Sequence, residues 1–226
     1  MRMQRAEANI SYRDYFPFWN KLTDNEKDLT ERNTRILKYL KGESIHSGGH
    51  DCLGMMVVKS GSLRAYILSD EGRDITLYRL FKGDICILSA SCVLKYITFD
   101  VFVDAEEDSE VILLSSSIFS QLMESNINVE CFAYKQATQS FSNVMWALQQ
   151  ILFMSFDKRL ALFLSEEIKK TGGDTVSLTH EQVARYMGSA REVVSRMLKY
   201  FVSEGIVELS RGDIKIINKK KLLELV

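Results

Sequence analysis

Residues Leu178–Leu209 read LTHEQVARYMGSAREVVSRMLKYFVSEGIVEL, an order of residue types that predicts two short helices joined by a glycine turn and followed by a strand. Thr179 stands where a helix N-cap accepts a backbone N–H, with Gln182 three places on to bond back to the cap. Leu178 and Val183 flank it at the spacing of a hydrophobic staple, so the first helix has a defined start and runs to about Met187. Gly188 permits the turn. Ser189 or Ala190 then opens a second helix whose apolar positions Val194, Met197, Leu198 and Phe201 recur at helical spacing. Arg191, Glu192, Ser195 and Arg196 lie between them as an exposed face. Arginine can grip guanine through two parallel hydrogen bonds and glutamate can accept from the amino group of cytosine, so this face carries what a DNA major groove requires. The pattern is a helix-turn-helix with the second helix as reader. An alternative for the same residues is a second capping box between Ser189 and Glu192, with the arginines solvated.

The flanks extend this reading. Asp157–Lys170 predicts a helix that buries Leu160, Phe163, Leu164 and Ile168 and stops at Gly172-Gly173, bracing the reader. Strands Ile206–Leu209 and Ile214–Ile217 flank Arg211-Gly212-Asp213, a tight hairpin that would form the wing of a winged helix. Arg211 would touch phosphate there. His180 would do so as an exposed first-turn residue of a helix that crosses the DNA backbone. The final helix, Lys219–Leu225, opens with three lysines that read as a solvated face.

Upstream, residues 127–152 contain no glycine or proline and predict one long helix. Tyr134, Ala137, Phe141, Val144, Leu148 and Ile151 alternate in steps of three and four, the stripe of a two-stranded coiled coil and hence of a homodimer. The competing reading packs this stripe on the chain's own N-terminal domain, with Met145 and Leu152 widening the face. Further upstream still, Ile36–Ser115 breaks into short runs rich in Val, Ile, Leu and Tyr, punctuated by glycine or acidic turns, which fits about eight strands of a sandwich or barrel. Leu63, Ala65 and Ile67 alternate with Arg64, Tyr66 and Leu68, predicting one inward and one outward face. A short helix is expected around Ile118–Glu124.

The run Arg191-Glu192-Val193-Val194-Ser195-Arg196 resembles the reading helix of the Crp/Fnr family of regulators, whose pattern there is R-E-x-x-[GS]-R. The turns Lys59-Ser60-Gly61-Ser62 and Lys82-Gly83-Asp84 are similar to those of that family's cyclic-nucleotide-binding β-roll, and the resemblance spans roughly residues 15–220. It implies an α+β fold: an N-terminal double-stranded β-roll (a cyclic-nucleotide-binding-like jelly roll) over 1–125, a long dimerisation helix over 126–153, and a C-terminal winged helix-turn-helix over 154–226. It also implies base contacts by Arg191, Glu192, Ser195 and Arg196, with Thr179, His180, Ser189 and Arg211 beside them, on a double-stranded operator. Contact with RNA polymerase comes from the same resemblance.

The effector is where the chain departs from the family's cyclic-AMP binders. Those hold the cyclic phosphate with a glycine-glutamate pair and an arginine-serine pair. Here the arginine-serine positions are occupied by approximately Phe99 and Asp100, and an aspartate repels a phosphate, so cyclic AMP is not the expected ligand. Cys86 and Cys92 fall in that segment and form a candidate redox or effector pair; the bland reading of Cys86 is a small buried strand residue. The oxygen-sensing branch carries cluster-binding cysteines near its N-terminus, but no cysteine precedes Cys52 here, which disfavours an iron-sulfur cluster of that type. His46, His50 and Cys52 match no strong metal-site spacing, and no metal is assigned. The cofactor is unknown, and the effector is taken to be an unidentified small molecule or redox signal; the alternative reading is a haem-, metal- or thiol-based sensor that acts through protein contacts.

Composition sets the outer bounds. The 226 residues suit two domains, and a formal charge of -1 excludes coating of nucleic acid by charge alone. Beyond Phe156 the chain holds 13 Lys and Arg against 10 Asp and Glu, a balance of +3; before it the counts are 16 and 20, a balance of -4. Neither end reads as a signal sequence and no apolar run suits a bilayer, so a cytoplasmic protein without membrane contact is expected. The four cysteines read as reduced thiols. No nucleophile elbow, phosphate loop or acid pair is present, so no enzyme is expected.

Overall fold

The structure is a computed structural model that describes residues 11–47, 53–72, 74–87 and 100–226. It opens on an aromatic cluster in which Phe16 stacks with Tyr12 and Phe18, and Trp19 tilts against it. Helix α1 (Asp24–Arg32) starts at a capping box between Thr23 and Glu26. The same Glu26 carboxylate accepts from Asn126 Nδ2 at 3.1 Å and from Ser125, which pins α1 to the chain entering the long helix. Neither the aromatic cluster nor α1 was anticipated from residue patterning.

Eight strands follow among the described residues: β1 (Thr34–Tyr39), β2 (Ser44–Ser47), β3 (Gly54–Ser60), β4 (Leu63–Leu68), β5 (Asp74–Leu80), β6 (Ile85–Cys86), β7 (Phe102–Ala105) and β8 (Ser109–Ser115). They form two four-stranded sheets, ordered β1-β8-β3-β6 and β2-β7-β4-β5. The first is apolar on both faces. Met55, Val57, Ile112 and Leu114 pack with Phe16, Phe119, Val129 and Ala133. Met56, Val58 and Val111 pack with Ile45, Leu63, Ala65 and Val103 of the second sheet. A strand covered twice needs no polar alternation, which is why Met55–Val58 is a continuous apolar run. Gly61 makes the expected turn between β3 and β4 with φ +83; a Cβ there would lie 2.7 Å from the Asp108 carbonyl oxygen.

The expectation for β4 needs one correction. Arg64 and Tyr66, assigned to an outward face, are 4% and 9% exposed. The guanidinium lies over the Tyr66 ring at 4.4 Å and that ring stacks on Phe102 at 5.4 Å, so the second face is closed by its own large side chains.

Helix α2 (Ser116–Ser125) leads into α3 (Ile127–Phe153), where the Asn126 side-chain oxygen accepts from the Asn128 backbone. The first turns of α3 pack into the roll: Val129 and Ala133 are fully buried and Ala137 packs beside them. The two compact units of the fold divide within α3, after Val144. The second unit contains α4 (Phe156–Thr171), β9 (Thr175–Val176), α5 (His180–Met187), α6 (Arg191–Ser203), β10 (Val207–Ser210), β11 (Asp213–Ile216) and α7 (Lys219–Glu224). Its core joins Leu160, Leu164 and Ile168 of α4 to Val183, Leu198, Phe201 and Ile214. Strand β9 was not foreseen; it pairs with β11 and extends the wing to three strands. No described helix is long and apolar enough to cross a membrane.

Candidate nucleic-acid interface

The interface is built from the cap of α5. Thr179 accepts from the Gln182 backbone at 3.2 Å, while Gln182 Oε1 accepts from the Thr179 backbone at 2.8 Å, the predicted reciprocal cap. Leu178 packs on the core that contains Val183, as a staple should. Gly188 ends the helix with φ +57, and the Ser189 N–H donates to the Ala184 carbonyl at 2.9 Å. This closure holds Ser189 in the turn. The N-cap of α6 is therefore Ala190, without a side-chain cap bond, and the capping box between Ser189 and Glu192 does not form. Glu192 instead stands on the second residue of the helix, exposed.

Helix α6 divides into two faces. Val194, Leu198 and Phe201 are completely buried and Met197 partly so, while Arg191, Glu192 and Arg196 are exposed. Ser195 is half-buried rather than exposed, because it sits at the margin between the faces. Burying Val194, Leu198 and Phe201 stabilises the unit by roughly 1.5–3 kcal/mol each. That packing fixes the rotation of the helix, and with it the direction of the polar tips.

The first turn of α5, the start of α6 and the wing enclose a cleft of about 290 Å³. Thr179, His180 and Arg191 line it together with Ser210 and Gly212 of the wing, and Glu181 and Asp213 supply acidic groups. Burial first, then the charges of Arg191 and Lys199, hold the His180 imidazole below its ordinary pKa. His180 is half-buried, not exposed as expected, since the wing lies across the first turn. The wing is a two-residue loop: Ser210 pairs with Asp213, leaving Arg211 and Gly212 at the tip, both exposed. Eight dispersed residues thus resolve into a reader face (Arg191, Glu192, Ser195, Arg196), a cleft wall (Thr179, His180), a turn residue (Ser189) and a wing tip (Arg211).

One residue at this site carried no recognisable signal in the sequence. Arg159 of α4 donates from Nη2 to the Met187 carbonyl at the end of α5. A single arginine in the first turn of a bracing helix looks like any solvated charge.

On α3, Tyr134, Phe141, Leu148 and Ile151 of the proposed stripe are exposed, Phe141 at 65%, while Ala137 and Val144 are half-buried. Met145 and Leu152 are exposed as well and pack on no described core cluster. In the roll, Cys86 is a thiol outside any disulfide, 1% exposed, on β6. It lies beside Tyr78, whose hydroxyl is pushed well above its ordinary pKa by burial first and then by that thiol; Ser140 of α3 acts in the opposite direction. Cys92, Phe99, His50 and Cys52 lie outside the described residues. His46 is buried in β2, and Asp100 is exposed. Among the described residues no three His, Cys, Asp or Glu side chains form a metal-ligand group.

An antiparallel roll followed by a winged helix-turn-helix with an exposed arginine-rich reader defines a class of DNA-binding regulators. Comparison with known proteins agrees: residues 36–126 match the cyclic nucleotide-binding domain family and residues 158–225 the Crp-like helix-turn-helix domain family. A solved Crp/Fnr-family protein from Eubacterium rectale is 46% identical, over 94% of this chain and 98% of that one, with a TM-score of 0.91. The chain belongs to the Crp/Fnr family and is a DNA-binding transcription regulator of that type. It is also similar to Electron transport regulator A of Shewanella oneidensis, 24% identical over 88% of this chain and 80% of that protein. The Cyclic AMP receptor protein of Thermus thermophilus is 24% identical over 88% of this chain and 92% of its own.

Proposed function

We propose that the chain acts in the cytoplasm as a homodimeric regulator that binds a near-palindromic operator. In this reading 1–125 is the sensor, 126–153 the dimerisation helix and 154–226 the DNA-binding domain. Arg191, Glu192, Ser195 and Arg196 read base edges; Thr179, His180, Ser189 and Arg211 hold the phosphates on either side. The observation that carries it is the two-faced α6, whose buried apolar side leaves Arg191, Glu192 and Arg196 nowhere to point but outward. The apolar stripe on α3 supports pairing of two copies through Tyr134, Ala137, Phe141, Val144, Leu148 and Ile151. Two half-sites bound at once give a small reader helix the affinity that it lacks alone.

The sensor takes an effector or redox signal other than cyclic AMP, for which Asp100 is an unsuitable phosphate neighbour, and the Cys86 and Cys92 segment is the place of entry. The signal shifts the population between two arrangements of the helix pair, one of which spaces the readers for DNA and for RNA polymerase contact. The test is a mobility-shift titration with a duplex enriched by the wild-type chain. Arg196→Ala should weaken binding by about 1–3 kcal/mol and relax preference at one base pair per half-site; unchanged affinity and preference would remove Arg196 from the reader.

A further inference from the structure

The bracing helix holds a second kind of interface residue. We infer that Arg159 is a positioning residue for DNA recognition: its guanidinium, fastened to the last carbonyl of α5, sets the turn from which the reader helix departs.

Three observations converge on it. Arg159 donates to the Met187 carbonyl across 28 residues of sequence, so the bond joins two helices rather than closing a local turn. The guanidinium is half-buried, its carbon 5.9 Å from the centre of the Phe156 ring, and burial alone lowers its pKa. Among the described ion pairs it has no carboxylate partner. A desolvated cation needs compensation, and the carbonyl end of a helix supplies it through both a charge-assisted hydrogen bond and the negative end of the helix dipole. Meanwhile the carbonyls of Ala184 and Arg185 are already engaged by the amides of Gly188 and Ser189. Met187 is two residues further on, and no backbone amide in the turn takes up its carbonyl. Arg159 is what satisfies it.

The consequence follows from the chain path. Only Gly188, Ser189 and Ala190 separate α5 from Arg191, the first residue of α6. Gly188 takes the left-handed φ of +57 that the turn requires and that a side chain disfavours. Fixing the carbonyl before Gly188 holds the entrance of this turn, so the angle between α5 and α6, and the depth at which Arg191 and Arg196 reach, depend on a residue that touches no base. Sub-ångström displacement of bidentate donors is enough to lose discrimination between bases.

The experiment rests on the DNA-binding reading and separates from it. Full-length wild type, Arg159→Gln and Arg159→Lys are titrated by fluorescence anisotropy against a duplex selected by the wild type and against a scrambled duplex of equal length. Hydrogen exchange is followed in parallel across residues 184–192. The expected result is a fall of about tenfold in the selected-to-scrambled ratio for Arg159→Gln, as for loss of one charge-assisted hydrogen bond, with faster exchange at Gly188–Arg191. Arg159→Lys, which keeps one donor, should recover part of both. If the glutamine variant melts early, the lysine variant and measurement well below the transition keep the comparison intact. An unchanged ratio, or exchange that rises uniformly over the whole unit, overturns the inference. A wild type that prefers no duplex instead overturns the DNA-binding reading, while the exchange pattern still reports on the turn.

Discussion

Arg191, Glu192 and Arg196 show how far single residues can be read. Their identity and spacing were legible because helical periodicity separates Val194, Leu198 and Phe201 from the polar positions without reference to a structure. The cap residue is open between Ser189 and Ala190 in the sequence; the Ser189 N–H is held by the Ala184 carbonyl, and Ala190 is the cap. His180 differs in another way, because its partners come from α6 and the wing. With burial and two cations disfavouring its charged form, the imidazole in the free protein gains its proton at lower pH than an ordinary histidine. A phosphate placed in the cleft favours the charged form, so the DNA complex holds the proton to higher pH. Binding then takes up a proton. Affinity should be fully enhanced below the free-protein value and lost as pH rises through the value in the complex. Anisotropy titrations from about pH 5.5 to 8 should show affinity falling with pH in the wild type and a flatter profile in His180→Asn; equal slopes would place His180 away from the phosphates.

Elements were legible in proportion to their length and their own periodicity. Helix α3 was bounded within one residue because nothing between Ile127 and Phe153 stops a helix. The two-residue β9 has no pattern of its own and exists only because β11 offers it an edge. Helix α1 was hidden for a related reason: it has no apolar stripe, and what holds it is Thr23, Glu26 and Asn126, a hydrogen-bond set formed across a hundred residues. Strand β4 misled because alternation was read as inside and outside, whereas Arg64 and Tyr66 shield one another. For α3, exposure of Phe141 and Leu148 on a helix whose first turns pack into the roll has a direct consequence. Phe141→Glu together with Leu148→Glu should convert the dimer to a monomer in sedimentation equilibrium while far-ultraviolet circular dichroism stays near wild type. A double variant that remains dimeric would mean that another surface pairs the copies.

At the scale of the whole molecule, the near-neutral chain of 226 residues carries its positive excess beyond Phe156, where the reader and the wing lie. Charge of that size does not hold a protein on DNA without discrimination, so in the proposed reading recognition rests on the polar face of α6 and on its duplication in a dimer. Within the roll the Cys86 thiol is buried beside Tyr78, away from the exposed polar face of α6. Selection of the full-length chain on a library of random duplexes, with sequencing of the bound fraction, tests the central claim most directly. The account predicts an enriched site with twofold symmetry, its half-sites about one helical turn apart, and loss of preference at one symmetric pair of positions in Arg196→Ala. Enrichment of no sequence, or of a motif without symmetry that Arg196→Ala leaves intact, would contradict it.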